Sequence, residues 1–180
     1  MAIPDFIVAL RERVGAMPLW LIGCTAVVVR PGDPAHTDTD ADTGDPEILM
    51  VRRADNGAWT PITGIVDPAE HPAVAAAREV AEEAAVTVVV ERLAQVGVTG
   101  PVVYANGDPA QYLDLTFRCR VVPGTAADPY PADGENTEAR WVRRSALSAL
   151  DPAVRPSILA RIDASLADEV APRMVTLESH

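Results

Sequence analysis

Three glutamates at helical spacing are the residues of this sequence best suited to chemistry. Glu79, Glu82 and Glu83 stand at positions i, i+3 and i+4, so on a helix their carboxylates project from one narrow face. Like charges crowded on one face repel one another, so the cluster needs either open solvent or a divalent cation. Mg²⁺ takes hard oxygen ligands and keeps positions open for water and phosphate. The spacing therefore indicates either a solvated acidic face or a magnesium site.

The residues around these glutamates predict the helix that must present them. Ala73, Ala77, Val80 and Ala84 form an apolar stripe on the opposite side, which can pack against a sheet. We expect this helix to run from about residue 72 to residue 84.

Strand patterns and two further helices surround this helix. Apolar runs predict strands at residues 19–29, 48–51, 86–90, 93–104 and 139–142, and apolar periodicity predicts helices at 6–14 and at about 152–170, the last beginning at Asp151-Pro152. Residues 112–119 alternate between polar and apolar types, which predicts a strand whose polar face carries Asp114. A mobile loop is expected at about residues 31–46, where Asp, Thr, Gly and Pro dominate.

Composition and charge restrict the class of protein. The sequence has 180 residues, 48% of them hydrophobic, so residues 1–180 suit one domain with a sizeable core. The formal net charge of −11 argues against binding to duplex nucleic acid or to an anionic membrane, because both require clustered cations. A small diffusing substrate fits this composition better.

Cysteine usage and the amino end bear on location and assembly. Cys24 and Cys119 lie in apolar segments, which argues against a disulfide framework and favours a reducing compartment. The amino end lacks the pattern of a secretory signal, and no apolar run reaches the roughly 20 residues of a membrane span. We therefore expect a cytoplasmic protein. The first helix could cover the fold or meet a partner subunit, so a homodimer is left open.

The stretch around the three glutamates resembles the Nudix box. Residues 64–86 read GIVDPAEHPAVAAAREVAEEAAV. The box runs glycine, five residues, glutamate, seven residues, Arg-Glu, an aliphatic residue, any residue, Glu-Glu, any residue, glycine and an aliphatic residue. A match at six separated positions is far more specific than a short motif. The one departure is Ala85 in place of the second glycine, which removes no metal ligand but could shift the helix end.

The resemblance implies roles for the residues of the box. The three clustered glutamates would be the ligands of Mg²⁺, or of Mn²⁺ in its place. Arg78 would hold Glu79 in position and Glu70 would hold Arg78, while Gly64 would support the site structurally. The proton of an attacking water would pass to one of the box glutamates or to a carboxylate outside the box.

Residues outside the box complete the predicted site. The candidates for an additional carboxylate are Glu135, Glu138 and Asp114. Glu135 is favoured because it lies in a loop that could reach the metal, whereas Glu138 begins a strand. Arg53 could contact a phosphate or simply be solvated. Trp59 could stack on a base or lie in the core.

The resemblance also implies a fold and an activity. The fold would be an α/β/α sandwich with a mixed β-sheet. The activity would be Mg²⁺-dependent hydrolysis of a phosphoanhydride bond in a small nucleotide, a nucleoside diphosphate linked to another moiety. Two rival classes are a catalytically silent Nudix domain that senses a nucleotide and an isomerase of the isopentenyl diphosphate type. The intact box glutamates argue against the silent domain. The apolar surroundings of Cys24 and Cys119 argue against the isomerase, which uses a cysteine for proton transfer.

Overall fold

The computed structural model describes residues 3–32, 44–104 and 106–175, which form three α-helices and nine strands. The helices are α1 (Asp5–Val14), α2 (Pro72–Ala84) and α3 (Pro156–Leu166). The strands are β1 (Leu19–Arg30), β2 (Glu47–Arg53), β3 (Trp59–Thr60), β4 (Ile62–Ile65), β5 (Val88–Val98), β6 (Val102–Val103), β7 (Pro109–Val121), β8 (Asn136–Arg143) and β9 (Arg173–Val175). A 3₁₀ turn, Arg144–Ala149, follows β8.

The strands form one mixed sheet in the order β3-β2-β1-β7-β5-β9. β1 pairs in parallel with β7, and β5 pairs in parallel with β9. The other pairings are antiparallel, including β4 on β1, β6 on β7 and β8 on β2. β1 is the central strand, because it joins β7 and β4 along its first part and β2 at its end.

Helices cover both faces of this sheet. Alternate residues of β1 and β2 point to opposite sides, and each side has its own core. One core packs α2 against one face of the sheet, and the other packs α3 against the opposite face. The predicted α/β/α sandwich with a mixed sheet is therefore confirmed.

The helix that carries the glutamates begins and ends where the sequence predicts. His71 precedes it, and its Nδ1 accepts a hydrogen bond of 3.2 Å from the N–H of Ala73. Pro72 fills the first position, where no N–H is needed. Ala85 ends the helix in the left-handed conformation, with φ of 56°. Alanine thus adopts the backbone turn usually made by glycine, and the helix end is not shifted.

Several sequence-based boundaries are wrong. The two strands expected at 86–90 and 93–104 are β5, with two register irregularities, followed by the short β6. The last helix begins at Pro156, because Pro156 rather than Pro152 takes its first position. Most of the loop expected at 31–46 falls on residues 33–43, which lie outside the described part of the chain.

The face of β7 that was expected to be polar is buried. Asp114 is 5% exposed and Thr116 is fully buried. The reason is that α3 covers this face of the sheet and supplies Arg161, which pairs with Asp114. Alternation of residue types along β7 therefore marks two buried faces, not one buried and one solvated face.

Within the described residues, none of the helices has the length and apolar character needed to cross a membrane. The cytoplasmic location and the homodimer stay predictions.

Candidate active site

The three glutamates of α2 differ widely in exposure. Glu83 is 5% exposed, whereas the side chain of Glu82 is 53% exposed. Glu79 lies between these extremes, with most of its side chain buried. The helix therefore directs the Glu83 carboxylate into the protein and the Glu82 carboxylate into solvent. Glu79 lies at the boundary between the two.

Arg78 binds three carboxylates of this region. Its Nε and Nη2 donate to the two oxygens of Glu70, at 2.9 and 3.0 Å. Its Nη1 donates to Glu79 and to Glu82, each at 3.0 Å. Glu70 is held in turn by the N–H of Asp67, at 3.2 Å. The hydrogen bonds to Glu70 are the main cause that raises the pKa of Arg78 above its ordinary value.

Gly64 makes room for the carboxylate of Glu79. A Cβ atom at position 64 would overlap the Cγ, Cδ and Oε1 atoms of Glu79. Gly64 lies in β4, which pairs with β1, so its backbone cannot move aside easily. Any larger residue at this position must displace Glu79.

Burial changes the acidity of two of the glutamates. Desolvation raises the pKa of Glu79 to about 7, although Arg78 opposes this effect. Desolvation also raises the pKa of Glu83 to about 8, opposed by the hydrogen bond that Asn136 Nδ2 donates to Glu83 Oε2 at 2.8 Å. The charges of Glu79 and Glu135 raise the pKa of Glu83 further. Both carboxyls would gain from a nearby cation that favours their ionised form.

Glu135 faces the box across a small cleft. Together with Arg78, Glu79 and Glu82 it lines a space of about 210 Å³. The other two candidates for the additional carboxylate are engaged elsewhere. Glu138 pairs with Arg52 at 3.0 Å, and Asp114 is buried on the α3 side. Of the three candidates, Glu135 lines the space beside Arg78, Glu79 and Glu82, whereas Glu138 and Asp114 do not.

Comparison with known proteins agrees with this arrangement. A family model described as the NUDIX domain matches residues 38–162. A MutT-like protein of Streptomyces ambofaciens is 31% identical over 131 residues, which are 73% of this chain and 69% of that protein. The chain belongs to the Nudix family. Membership confirms the enzyme class that the box implied, a Nudix pyrophosphohydrolase.

Solved structures of Nudix hydrolases share the fold. A NUDIX hydrolase from Nitrosomonas europaea superposes with a TM-score of 0.59 at 22% identity, over 87% of this chain and 93% of that chain. An ADP-ribose pyrophosphatase from Streptococcus suis superposes with a TM-score of 0.56 at 16% identity, over 88% and 100% of the two chains. At these identities the likeness shows the fold alone.

The donor set of this Nudix box fits a hard divalent cation. Four carboxylates lie close together, and two of them have raised pKa values because they are desolvated. Such groups favour a cation with oxygen ligands. In the described part of the chain, no three His, Cys, Asp or Glu side chains converge as ligands of one ion. The reason is that Glu79 and Glu82 turn towards Arg78, which supplies the positive charge instead.

Arg53 lies beside the Nudix box at the end of β2. Its Nε and Nη2 donate to the two oxygens of Asp55, at 2.9 and 2.8 Å. This pairing is the main cause that raises the pKa of Arg53. Arg53 also lines a cleft with Gly64 and Ile65. Its position therefore allows contact with a substrate that reaches the box.

The base-stacking role considered for Trp59 is wrong. Trp59 is 3% exposed and belongs to the core between the sheet and α3. The guanidinium of Arg140 lies 4.5 Å from the centre of its ring, and its Nε1 donates to the backbone oxygen of Asp151 at 3.3 Å. Burial leaves no ring face for a base.

Two side chains near the Nudix box have no signal in the sequence. Asn136 holds Glu83 from the first position of β8, and Asp55 orients Arg53. Neither belongs to a motif. Only the chain path, which brings β8 and the turn after β2 to the box, identifies them.

Proposed function

We propose that this chain hydrolyses a phosphoanhydride bond in a small substrate that contains a nucleoside diphosphate linked to another moiety, and that it requires Mg²⁺ or Mn²⁺. The observation that supports this proposal is the closeness of four carboxylates, from Glu79, Glu82, Glu83 and Glu135, whose charges act on one another. Arg53 lies near them, since the charges of Glu83 and Glu135 contribute to the raised pKa of Arg53. Acidic ligands for a cation and a basic side chain for phosphate are the two requirements of such a reaction.

The three glutamates of α2 would hold the cation. When bound, the cation makes a coordinated water more acidic and neutralises charge on the phosphate oxygens. Glu135 would accept the proton of the attacking water, because it lines the same space as Glu79 and Glu82. Arg53 would donate to a phosphate oxygen, and Asp55 orients its guanidinium for that contact.

Arg78 and Glu70 act on the site through Glu79. The two hydrogen bonds from Arg78 to Glu70 fix the guanidinium. The fixed guanidinium in turn holds the Glu79 carboxylate against Gly64. Arg78 is a positioning residue in this proposal, since it has no contact with the reacting atoms.

A substrate panel tests the activity. Nucleoside triphosphates, ADP-ribose and dinucleotides would be incubated with Mg²⁺, with and without a chelator, and released phosphate and pyrophosphate would be measured separately. We expect turnover of at least one compound that the chelator abolishes. Turnover that is equal with and without chelator would contradict the metal requirement. Tight nucleotide binding without any turnover would favour the silent sensor domain.

A pair of variants tests the role of Glu135. Glu135→Gln removes the carboxylate in the cleft, whereas Glu138→Gln removes a carboxylate three residues away that pairs with Arg52. We expect Glu135→Gln to lower kcat by roughly a hundredfold and Glu138→Gln to keep the parental kcat. Equal kcat values for the two variants would contradict the role of Glu135 as proton acceptor.

A further inference from the structure

A second group of charged residues lies beyond Gly64, on the α3 side of the sheet. It lines a cleft of about 340 Å³ that also contains Arg53, Gly64 and Ile65. The cleft therefore adjoins the active site, with which it shares Ile65. Its volume is at the lower end of the range for small-molecule sites, so it suits one group of about the size of a nucleoside.

A buried carboxylate lies at the floor of this cleft. Asp114 Oδ1 accepts a hydrogen bond from Thr25 Oγ1 at 2.8 Å, and Oδ2 accepts one from Thr116 Oγ1 at 2.8 Å. Arg161 Nε, from α3, lies 3.3 Å from Oδ2. Both threonines are fully buried. Asp114 is thus saturated with donors and has little capacity to bind a ligand itself.

Arg161 keeps donors that this network does not use. Its Nη1 reaches Thr25 only at 3.5 Å, and within the described residues its Nη2 has no hydrogen-bond partner. A buried ion pair contributes little net stability, because desolvation offsets the attraction. Its effect here is geometric, since Asp114 fixes the guanidinium of a side chain that lines the cleft.

Two tyrosines form the aromatic part of the wall of the same cleft. Tyr104 and Tyr112 line it, and their hydroxyl groups are hydrogen-bonded to each other. Burial raises the pKa of Tyr112 above its ordinary value, so the hydroxyl of Tyr112 stays neutral. Neutral aromatic faces bind flat ring systems by stacking.

We infer that Arg161 determines specificity by donating to the acceptor edge of a planar oxo-substituted ring, of the 6-oxopurine class, at the substrate end remote from the scissile bond. An arginine fork matches the carbonyl oxygen and ring nitrogen of a 6-oxopurine, whereas the amino group of a 6-aminopurine offers a donor at the same place. This inference rests on the proposed function, because it assigns the ring end of the same substrate.

Two pairs of substrates test the inference, since the members of each pair differ only at position 6 of the purine. They are inosine and adenosine triphosphate, and nicotinamide hypoxanthine and nicotinamide adenine dinucleotide. We expect kcat/KM to favour the hypoxanthine member by on the order of tenfold to a hundredfold in at least one pair. A ratio near one, or a preference for adenine, would overturn the inference.

Arg161→Lys keeps the charge beside Asp114 but removes the fork. We expect this variant to bring the ratio of kcat/KM for the hypoxanthine substrate to kcat/KM for the adenine substrate close to one. Arg144→Lys is the matched control, because Arg144 binds Asp163 of α3 with two hydrogen bonds away from the cleft. This control should keep the parental ratio. A parental ratio in Arg161→Lys would overturn the inference.

A further variant covers the case in which Arg161→Lys does not fold. Asp114→Asn combined with Arg161→Gln removes both charges together and so leaves no unpaired buried charge. We expect the same loss of selectivity in this double variant, and unchanged selectivity would overturn the inference.

Binding of the nucleoside monophosphates without metal separates this inference from the proposed function. Calorimetry would compare inosine and adenosine monophosphate. If the parent prefers inosine monophosphate but hydrolyses no anhydride, the proposed function fails and the role of Arg161 stands. If the parent hydrolyses anhydrides but shows no preference in binding or turnover, the role of Arg161 fails and the proposed function stands.

Discussion

Replacing Glu83 with glutamine should stabilise the protein in the absence of metal while removing most of its turnover. Glu83 is 5% exposed, and desolvation raises its pKa from 4.5 to about 8. Glutamine keeps the shape of the side chain and can still accept the hydrogen bond from Asn136 through its carbonyl oxygen. The substitution therefore removes a buried charge and preserves its main contact.

The sign of the effect depends on pH. Because the pKa of Glu83 is higher in the folded than in the unfolded state, its ionisation lowers stability as the pH rises from about 4.5 to about 8. A pKa difference of one corresponds to about 1.4 kcal/mol, so about 5 kcal/mol is an upper bound above pH 8. Relaxation of the site reduces this figure, and we expect a gain of about 2 kcal/mol, or roughly 4–8 °C in Tm.

Thermal unfolding with a chelator present, at pH 5 and at pH 8.5, measures the gain. We expect Glu83→Gln to raise Tm at pH 8.5 and to leave it near the parental value at pH 5. Glu82→Gln is the control, because a side chain that is 53% exposed has little desolvation to relieve. With Mg²⁺, kcat of Glu83→Gln should be at least about a hundredfold lower than that of the parent. An equal Tm gain at both pH values, or parental kcat, would refute the reasoning.

Four further predictions follow from the contacts of the site. Arg78→Lys should lower kcat by roughly tenfold or more while the fold is kept, because lysine cannot donate to Glu70 and Glu79 with the same fixed geometry; steady-state kinetics and circular dichroism measure both. Gly64→Ala should lower kcat strongly, since its Cβ displaces the Glu79 carboxylate, and the same assay checks it. Ala85→Gly should raise the free energy of unfolding by about 1 kcal/mol without a change in kcat, because φ of 56° suits glycine better; denaturant titration tests this gain. Chelation should abolish turnover and added Mg²⁺ should restore it, as a phosphate-release assay would show.

The sequence predicts those parts of the structure that depend on local spacing. Helical periodicity and the proline at the helix start predict the bounds of α2. Helical periodicity also predicts that Glu79, Glu82 and Glu83 lie on one side of the helix. The resemblance to the Nudix box adds the contact of Arg78 with Glu70, eight residues earlier in the chain.

The sequence does not predict which strands are covered on both faces. Asp114 looks like a solvated residue because it alternates with leucines, and only the position of α3 buries it. The same helix closes the core around Trp59. Asn136 approaches Glu83 from 53 positions away. Contacts of this kind depend on the packing of distant elements, which residue periodicity does not encode.

The position of Arg78 has a consequence for the order in which the protein matures. Its guanidinium already compensates the charges of Glu79 and Glu82 without any ion, so these two carboxylates need no metal to lie side by side in the folded chain. If the chain binds a metal ion as proposed, we expect folding and metal binding to be separate events, so that the ion can leave and return without unfolding the protein. The supply of divalent cations would consequently set the fraction of the protein that is active at a given moment, and not the fraction that is folded.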